Sequence, residues 1–327
     1  MAVKILNALI AIAGGIGGAM VIFWILNKLA ESLKGKWEDR VKPWAFAGPA
    51  ILAIAVYLIY PAVVTIQYSF ANADSTAYVG FKNYKDILTD STFLQVLFNN
   101  LLWIIIVPAM VVILGLGVAT LADRMQPRGE KLSKTVIFLP MAISMVGAAT
   151  IWRSIYDYQP KGTPQTGLLN AFMELFGRDP VYWYGTSKLH FNSLLLMIIF
   201  IWTQVGYAMV LLSAAIKSVP EDTIEAGRID GAGEKRIFFS IILPQVWGTV
   251  LTVFITVLIG VMKIFDIVYV TTNGGFNTDV IGRRFYFEMF TDNNNGYAAA
   301  IVVLLMIAII PVLIYQVHHF KAEEANR

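Results

Sequence analysis

Side-chain chemistry needs nucleophiles, bases or metal ligands at short spacings, and this 327-residue chain offers few of them. It has no cysteine, which excludes disulfides and thiolate metal sites. Its histidines are His190, His318 and His319. The adjacent pair cannot point to one face of a helix, so a surface role is expected rather than a metal site. Neither a G-x-x-x-x-G-K-[ST] phosphate loop nor an H-E-x-x-H zinc helix occurs. No nucleophile, base and partner cluster together, so no catalytic residue is assigned. Two groups of residues remain. In Ser218–Pro244, SVPEDTIEAGRIDGAGEKRIFFSIILP, Glu225 and Asp230 border the small residues Ala226, Gly227, Gly231 and Ala232. A low surface edged by carboxylates suits close approach by another protein. The second group is Trp202, Gln204 and Tyr207, with Lys263 and Asp266 further on. Aromatic faces beside hydrogen-bonding groups suit a sugar, which has apolar ring faces and many hydroxyls. Gln204 and Tyr207 fit pathway lining and interhelical packing equally well. Lys263 and Asp266, three residues apart, would pair on one helix face, a structural ion pair first and a path element second.

The elements that carry these residues are membrane spans. Apolar residues make up 57% of the chain and charged residues 14%, against about 25% charged in soluble domains; mean hydropathy is +0.65. Apolar runs near twenty residues recur, enough to cross a hydrocarbon core of about 30 Å. The expected fold class is all-α, a polytopic helical membrane protein with about seven transmembrane helices. The spans predicted are Ile5–Leu26, Trp44–Ile66, Phe93–Ala122, Thr135–Tyr156, Ser193–Ile216, Ile242–Val270 and Tyr297–Val317. Pro61, Pro108, Pro140 and Pro311 fall inside them, where neighbouring helices can re-satisfy the freed carbonyls. The first span has its positive charge after it and exceeds a signal-peptide core, so it reads as an anchor. Its GGIGG run, Gly14–Gly18, permits close helix contact.

Lys and Arg collect in alternate connections: Lys28, Lys34, Lys36, Arg40 and Lys42; Arg124, Arg128, Lys131 and Lys134; Lys217, Arg228, Lys235 and Arg236; and the tail with Lys321 and Arg327. By the positive-inside rule these face the cytosol, with the N-terminus outside and the C-terminus inside. The net charge of +3 is small and no basic block suggests nucleic acid. On the outer side, Thr166–Gly177 places Leu168, Leu169, Phe172, Met173 and Phe176 on one broad helical face with Gly177 as a stop. Such a helix rests on the membrane interface or docks a partner.

Locally, Ser218 and Glu221 form an S-x-x-E capping box, Pro220 opens the helix, and Glu221 and Asp222 suit the positive end of its dipole. The helix is predicted to run to about Ile229 and break at Gly231 and Gly233, with a second helical run over Glu234–Ile242. Ile224 and Ile229 would add apolar contact.

Glu225-Ala226-Gly227, Asp230-Gly231-Ala232 and Ile241-x-Leu243-Pro244 together resemble the EAA motif of binding-protein-dependent ABC importers. Gly227 stands where that family usually has alanine. Val79–Asp90, VGFKNYKDILTD, resembles the outer-loop G-x-x-N-[YF] stretch of carbohydrate permeases. Thr271–Phe276, TTNGGF, resembles their T-x-G-G-P, with Phe276 in place of proline, and Gly296–Ala300, GYAAA, opens the last span in the family's manner. The nearest subgroup is the maltose and α-glucoside type, the permease with the larger N-terminus. The resemblance implies a type I ABC importer permease fold with N-terminal spans and outer loop over 1–92, a permease core over 93–318 and a cytoplasmic tail over 319–327. It implies sugar passage across the bacterial inner membrane, with no cofactor on this chain and ATP and magnesium used by partner ATPase subunits. A second, non-identical permease and an extracytoplasmic sugar-binding protein complete the expected assembly. The coupling residues it implies are Glu225, Ala226, Gly227, Asp230, Gly231, Ala232, Leu243 and Pro244. The competing class is an ion-gradient-driven secondary transporter, which would favour internal repeats and buried carboxylates along its path.

Overall fold

The structure is a computed structural model describing residues 2–32, 36–186 and 188–325. Lys34 and Arg327, used above to orient the chain, lie outside the described residues, as does the side chain of His319. The chain divides into two compact units at Gln67 and Tyr68. Residues 68–92, grouped on sequence with the N-terminal spans, pack with the larger unit.

The first unit holds α1 (Ala2–Glu31), α2 (Lys36–Ile54) and most of α3 (Tyr60–Tyr68), with a wide π turn at Ala55–Ile59 between α2 and α3. Phe23 and Phe46 stack with ring centroids 6.3 Å apart. A Cβ added at Gly14, Gly15, Gly17 or Gly18 would meet no described atom within 4 Å, so the GGIGG run faces open space.

The second unit begins with α4 (Lys82–Thr89) and the long α5 (Ser91–Asp123). Asp90 caps α5 by accepting from the Thr92 amide at 2.9 Å. Next come α6 (Pro127–Phe138), α7 (Met145–Ile155), α8 (Leu168–Leu175) and α9 (Phe191–Lys217). After α9 stand α10 (Glu221–Ile229), α11 (Glu234–Ile237), α12 (Leu243–Gln245) and α13 (Trp247–Met262), then α14 (Asp266–Thr271), α15 (Ile281–Phe290) and α16 (Asn295–Ala325). The core lies where α5, α9 and α13 meet, with Trp103, Val107, Leu196, Ile199, Met209, Leu212, Val253 and Val261 buried. Ala148 and Ala149 of α7 and Ile267 and Val268 of α14 close the same core. Between helices in a membrane close backbone approach replaces the hydrophobic effect as the source of packing. Gly206 shows this: a Cβ there would fall 2.5 Å from the Ile137 carbonyl oxygen and 2.8 Å from Phe138 Cα.

Among the described residues, five helices are long and apolar enough to cross a membrane singly, and two bent pairs bring the number to as many as seven. The spans expected from Thr135 and from Ile242 are these bent pairs and not straight helices. In the first, Pro140 tightens Leu139–Ala142 into a 3₁₀ turn and Ile143 is extended. Ser144 then caps α7, its Oγ accepting from the Gly147 amide at 3.1 Å, and the axis turns by 102°. In the second, the chain turns by 72° between Gln245 and Trp247. The expected span to Val270 also contains a further break after Met262, so it comprises α13 and α14. Both π turns end two residues before a proline, at Ile59 before Pro61 and at Ile242 before Pro244. Proline lacks the amide for the i−4 carbonyl and its ring crowds that oxygen, so the preceding turn widens instead.

Candidate coupling helix and transport path

The segment Ser218–Pro244 folds as helix, glycine turn and helix. Its start differs from the capping box read in the sequence. Alpha-helix α9 runs to Lys217, and Ser218 ends it, turning its Oγ back to the Ala215 carbonyl at 2.7 Å. Pro220 therefore occupies the N-cap of α10 without a side-chain cap. The other end follows the glycine. Gly231 has φ +78, its amide donates to the Arg228 carbonyl and the Ala232 amide to the Gly227 carbonyl, each at 3.0 Å. These two bonds form a Schellman motif, which satisfies carbonyls that the last helical turn leaves free.

No residue of α10 is buried. Glu225, Ala226, Asp230 and Gly231 are exposed, and Ile229 is 86% exposed. The expected single low surface divides in two. Ala226 faces out, whereas Gly227 and Ala232 are half-buried. A Cβ at Gly227 would lie 2.6 Å from Ile241 Cδ1, so the missing side chain makes room for this chain's own next helix. Ile224 also turns inward and packs against the core, leaving Ile229 as the outward apolar contact. Leu243 packs on the core and Pro244 is exposed at the bend before α13.

Two charged clusters brace this end of the larger unit, and the sequence reading singled out neither. Glu130 accepts from Lys134 and from Lys217 at 2.6 Å each. Lys134 also reaches Ser213, and Lys217 lies 3.4 Å from Asp123. Glu234 receives Arg228 on one oxygen at 3.2 Å and Arg124 on the other at 3.1 Å. The signal available in sequence was the run of charges at each span end.

Trp202, Gln204 and Tyr207 all sit on α9 and are half-buried. Trp202 meets Trp152 edge-on at 5.8 Å, and Trp152 continues to Tyr156 at 5.3 Å and Tyr156 to Tyr184 at 5.8 Å. The indole nitrogen of Trp152 and the hydroxyl of Tyr184 are buried without a hydrogen-bond partner among the described residues. Lys263 and Asp266 do not form the expected pair. Lys263 ends α13 and is exposed, Asp266 begins α14, and the break between them removes the shared face.

Several connections between helices are held by amides. Asn99, fully buried, donates to the carbonyls of Asn277 and Asp279 at 2.7 and 2.8 Å. Asn100 accepts from the Ile281 amide at 2.7 Å and Asn192 donates to the Phe276 carbonyl at 2.7 Å. These three pin the loop that resembles T-x-G-G-P. Phe276 has φ +56, which proline with its fixed φ near −65° cannot adopt, so this loop takes a different turn from the family pattern. Asp279 pairs with Arg283 at 3.1 Å, yet burial pushes its carboxyl up from the usual range. Asp157, beyond α7, is held down chiefly by the Thr166 hydroxyl at 2.5 Å. In the G-x-x-N stretch Asn83 is buried and donates to the carbonyls of Ser69 and Ala71 at 2.9 and 2.8 Å, closing the loop before α4. Alpha-helix α8 ends as read, on Gly177 at φ +67, but its apolar face is split. Leu168, Phe172 and Phe176 are exposed while Leu169 packs inward.

Residues 111–322 match the family described as binding-protein-dependent transport system inner membrane component. The α-glucoside transport system permease protein AglF of Rhizobium meliloti is 39% identical, covering 99% of each chain. The osmoprotective compounds uptake permease protein GgtC of Synechocystis sp. is 44% identical over 86% of this chain and 100% of its own. In fold, the chain is similar to a bacterial alginate ABC transporter solved with an alginate pentasaccharide-bound periplasmic protein, with TM-score 0.73 at 20% identity over 86% of this chain and 96% of that one. Apolar spans, an exposed glycine-terminated helix between two of them, and these matches lead to one assignment: the chain belongs to the binding-protein-dependent transport system inner membrane components, as a multi-pass ABC permease subunit.

Proposed function

We propose that this permease passes an α-glucoside-class sugar inward, driven by separate ATPase subunits that receive α10 in a cleft. The observation that carries the reading is α10 itself, a helix that buries none of its residues yet is closed by a complete Schellman motif. A helix of nine residues, none of them fully buried, is marginal in isolation, and its glycine termination gives a preformed element for a partner. ATP, with magnesium, closes the partner ATPase, and the closed ATPase fits one permease conformation better than the other; that differential affinity shifts the permease equilibrium. A sugar-loaded extracytoplasmic binding protein biases the same equilibrium from the outer side, and a second, non-identical permease completes the pathway. The basic connections support a reading in which α10 and the C-terminus lie in the cytosol and the N-terminus outside. The likeness to AglF over nearly the whole chain supports the sugar class. Glu225, Ala226, Asp230, Gly231 and the exposed Ile229 form the outward docking set. Trp202, Gln204 and Tyr207 line the path, and Trp202 opens the aromatic series toward Tyr184.

The test is uptake into proteoliposomes holding the whole complex with its binding protein, with ATP inside. Maltose- and trehalose-like sugars are compared with non-sugar osmoprotectants. ATP-dependent accumulation of α-glucosides is expected, and uptake driven by a proton or sodium gradient without ATP would contradict the reading. In the same vesicles, Gln204→Ala and Tyr207→Ala should each change sugar preference or maximal uptake by roughly ten-fold, the loss of one or two polar contacts to a hydroxylated ligand. An unchanged profile in both variants removes these residues from the path.

A further inference from the structure

Since no residue of α10 is fully buried, little packing ties it to the helices it would move. Its inward anchors are Ile224 on the core and Gly227 under Ile241. The Gly227 contact leads into the π turn at Phe238–Ile242 and so toward α13. Toward α5 the situation differs. A cavity of about 300 Å³ lies behind α10, lined by Asp123 of α5 and Arg124 just after it, Ile216 of α9, Arg228 of α10, and Glu234. At this cavity a single carboxylate joins the two elements. Glu234 accepts from Arg228 Nε on Oε1 at 3.2 Å and from an Arg124 terminal nitrogen on Oε2 at 3.1 Å.

We propose that Glu234 is a positioning residue for transport: by holding Arg228 of α10 and Arg124 at the C-cap of α5 at once, it passes displacement of α10 to α5 as well as to α13. The proposal rests on the reading of α10 as the ATPase-docking element. Each side chain is about half exposed, at 57%, 51% and 55% for Arg124, Glu234 and Arg228. Either pair alone would be worth little in water. The arrangement matters because of what neutralising Glu234 leaves behind. Arg124 and Arg228, both more than half exposed, would then repel weakly where they had been joined, with Asp123, 3.4 Å from Lys217, the other carboxylate lining the cavity, and the link from α10 toward the end of α5 would be lost. The carboxylate converts a repulsive pair into a link.

A double-mutant cycle tests this in the assembled complex in proteoliposomes, reading sugar moved per ATP hydrolysed at equal amounts of inserted complex. That ratio is insensitive to the fraction of protein that merely fails to fold. Glu234→Gln should lower it roughly three-fold and Arg124→Gln roughly two-fold, the range expected for exposed ion-pair networks. The double variant should be no worse than Glu234→Gln alone, because both changes break one link. An unchanged ratio in Glu234→Gln overturns the proposal, and so do losses that multiply in the double variant. A wild-type complex that shows no ATP-driven uptake overturns the function reading itself, and this proposal with it; a coupled wild type with a coupled Glu234→Gln overturns this proposal alone.

Discussion

Gly231→Val should reduce ATP-driven uptake roughly ten-fold while the amount of inserted protein stays within about two-fold of wild type. The reason is backbone conformation and not bulk. A Cβ at this position meets no atom within 4 Å, but φ is +78, a conformation in which a β-branched residue is a genuine outlier. Forcing valine there costs about 1–2 kcal/mol or more. The segment would escape by giving up the bonds from Gly231 to Arg228 and from Ala232 to Gly227, which unravels the last turn of α10. Asn tolerates the left-handed region, so Gly231→Asn should keep most of the uptake. Equal activity of the valine and asparagine variants would show that the termination of α10 is irrelevant to transport.

Gly206→Val should act on folding. Here the obstacle is backbone, the Ile137 carbonyl oxygen and Phe138 Cα, and neither can rotate away. Alpha-helix α6 would have to move off α9, and overpacking of this kind costs about 1–3 kcal/mol, occasionally more. The purified variant should unfold several degrees below wild type, and its yield from membranes should fall. Gly117→Val is the control, since a Cβ at Gly117 meets nothing within 4 Å. A Gly206→Val protein as stable as the control would mean that α6 and α9 do not cross this closely.

The straight spans were legible because apolar runs of the right length need no tertiary information: α5, α9 and α16 contain the runs read from Phe93, Ser193 and Tyr297. The bends were not. Pro140 and Pro244 were visible, but proline in a membrane helix is compatible with a straight, a kinked or a broken segment, and packing decides which. Within the segment Ser218–Pro244, Gly231 was readable because a glycine after a periodic run has few other uses. The capping box at Ser218 was misread because the pattern S-x-x-E says nothing about whether α9 has already ended. The inward turn of Gly227 could not be known before Ile241 was placed against it. For the same reason the pairing of Lys263 with Asp266 failed: spacing of three residues implies proximity only on one unbroken helix, and the chain breaks between them. Asn99, Asn100 and Asn192 were missed although amides at the ends of apolar runs carry a signal. Each must find partners when buried, and here they hold the loop from Phe276 to Ile281.

The most direct measurement uses the absence of cysteine from the natural chain. With Ala226→Cys as the only thiol in the permease, a short bifunctional thiol reagent is applied to the assembled complex together with ATPase subunits carrying single cysteines along their permease-facing surface. A covalent permease–ATPase adduct, formed at one cleft position and blocking uptake, is the predicted result. Full uptake with no adduct at any ATPase position would contradict the account, because α10 would then move sugar without touching the subunit that supplies the energy.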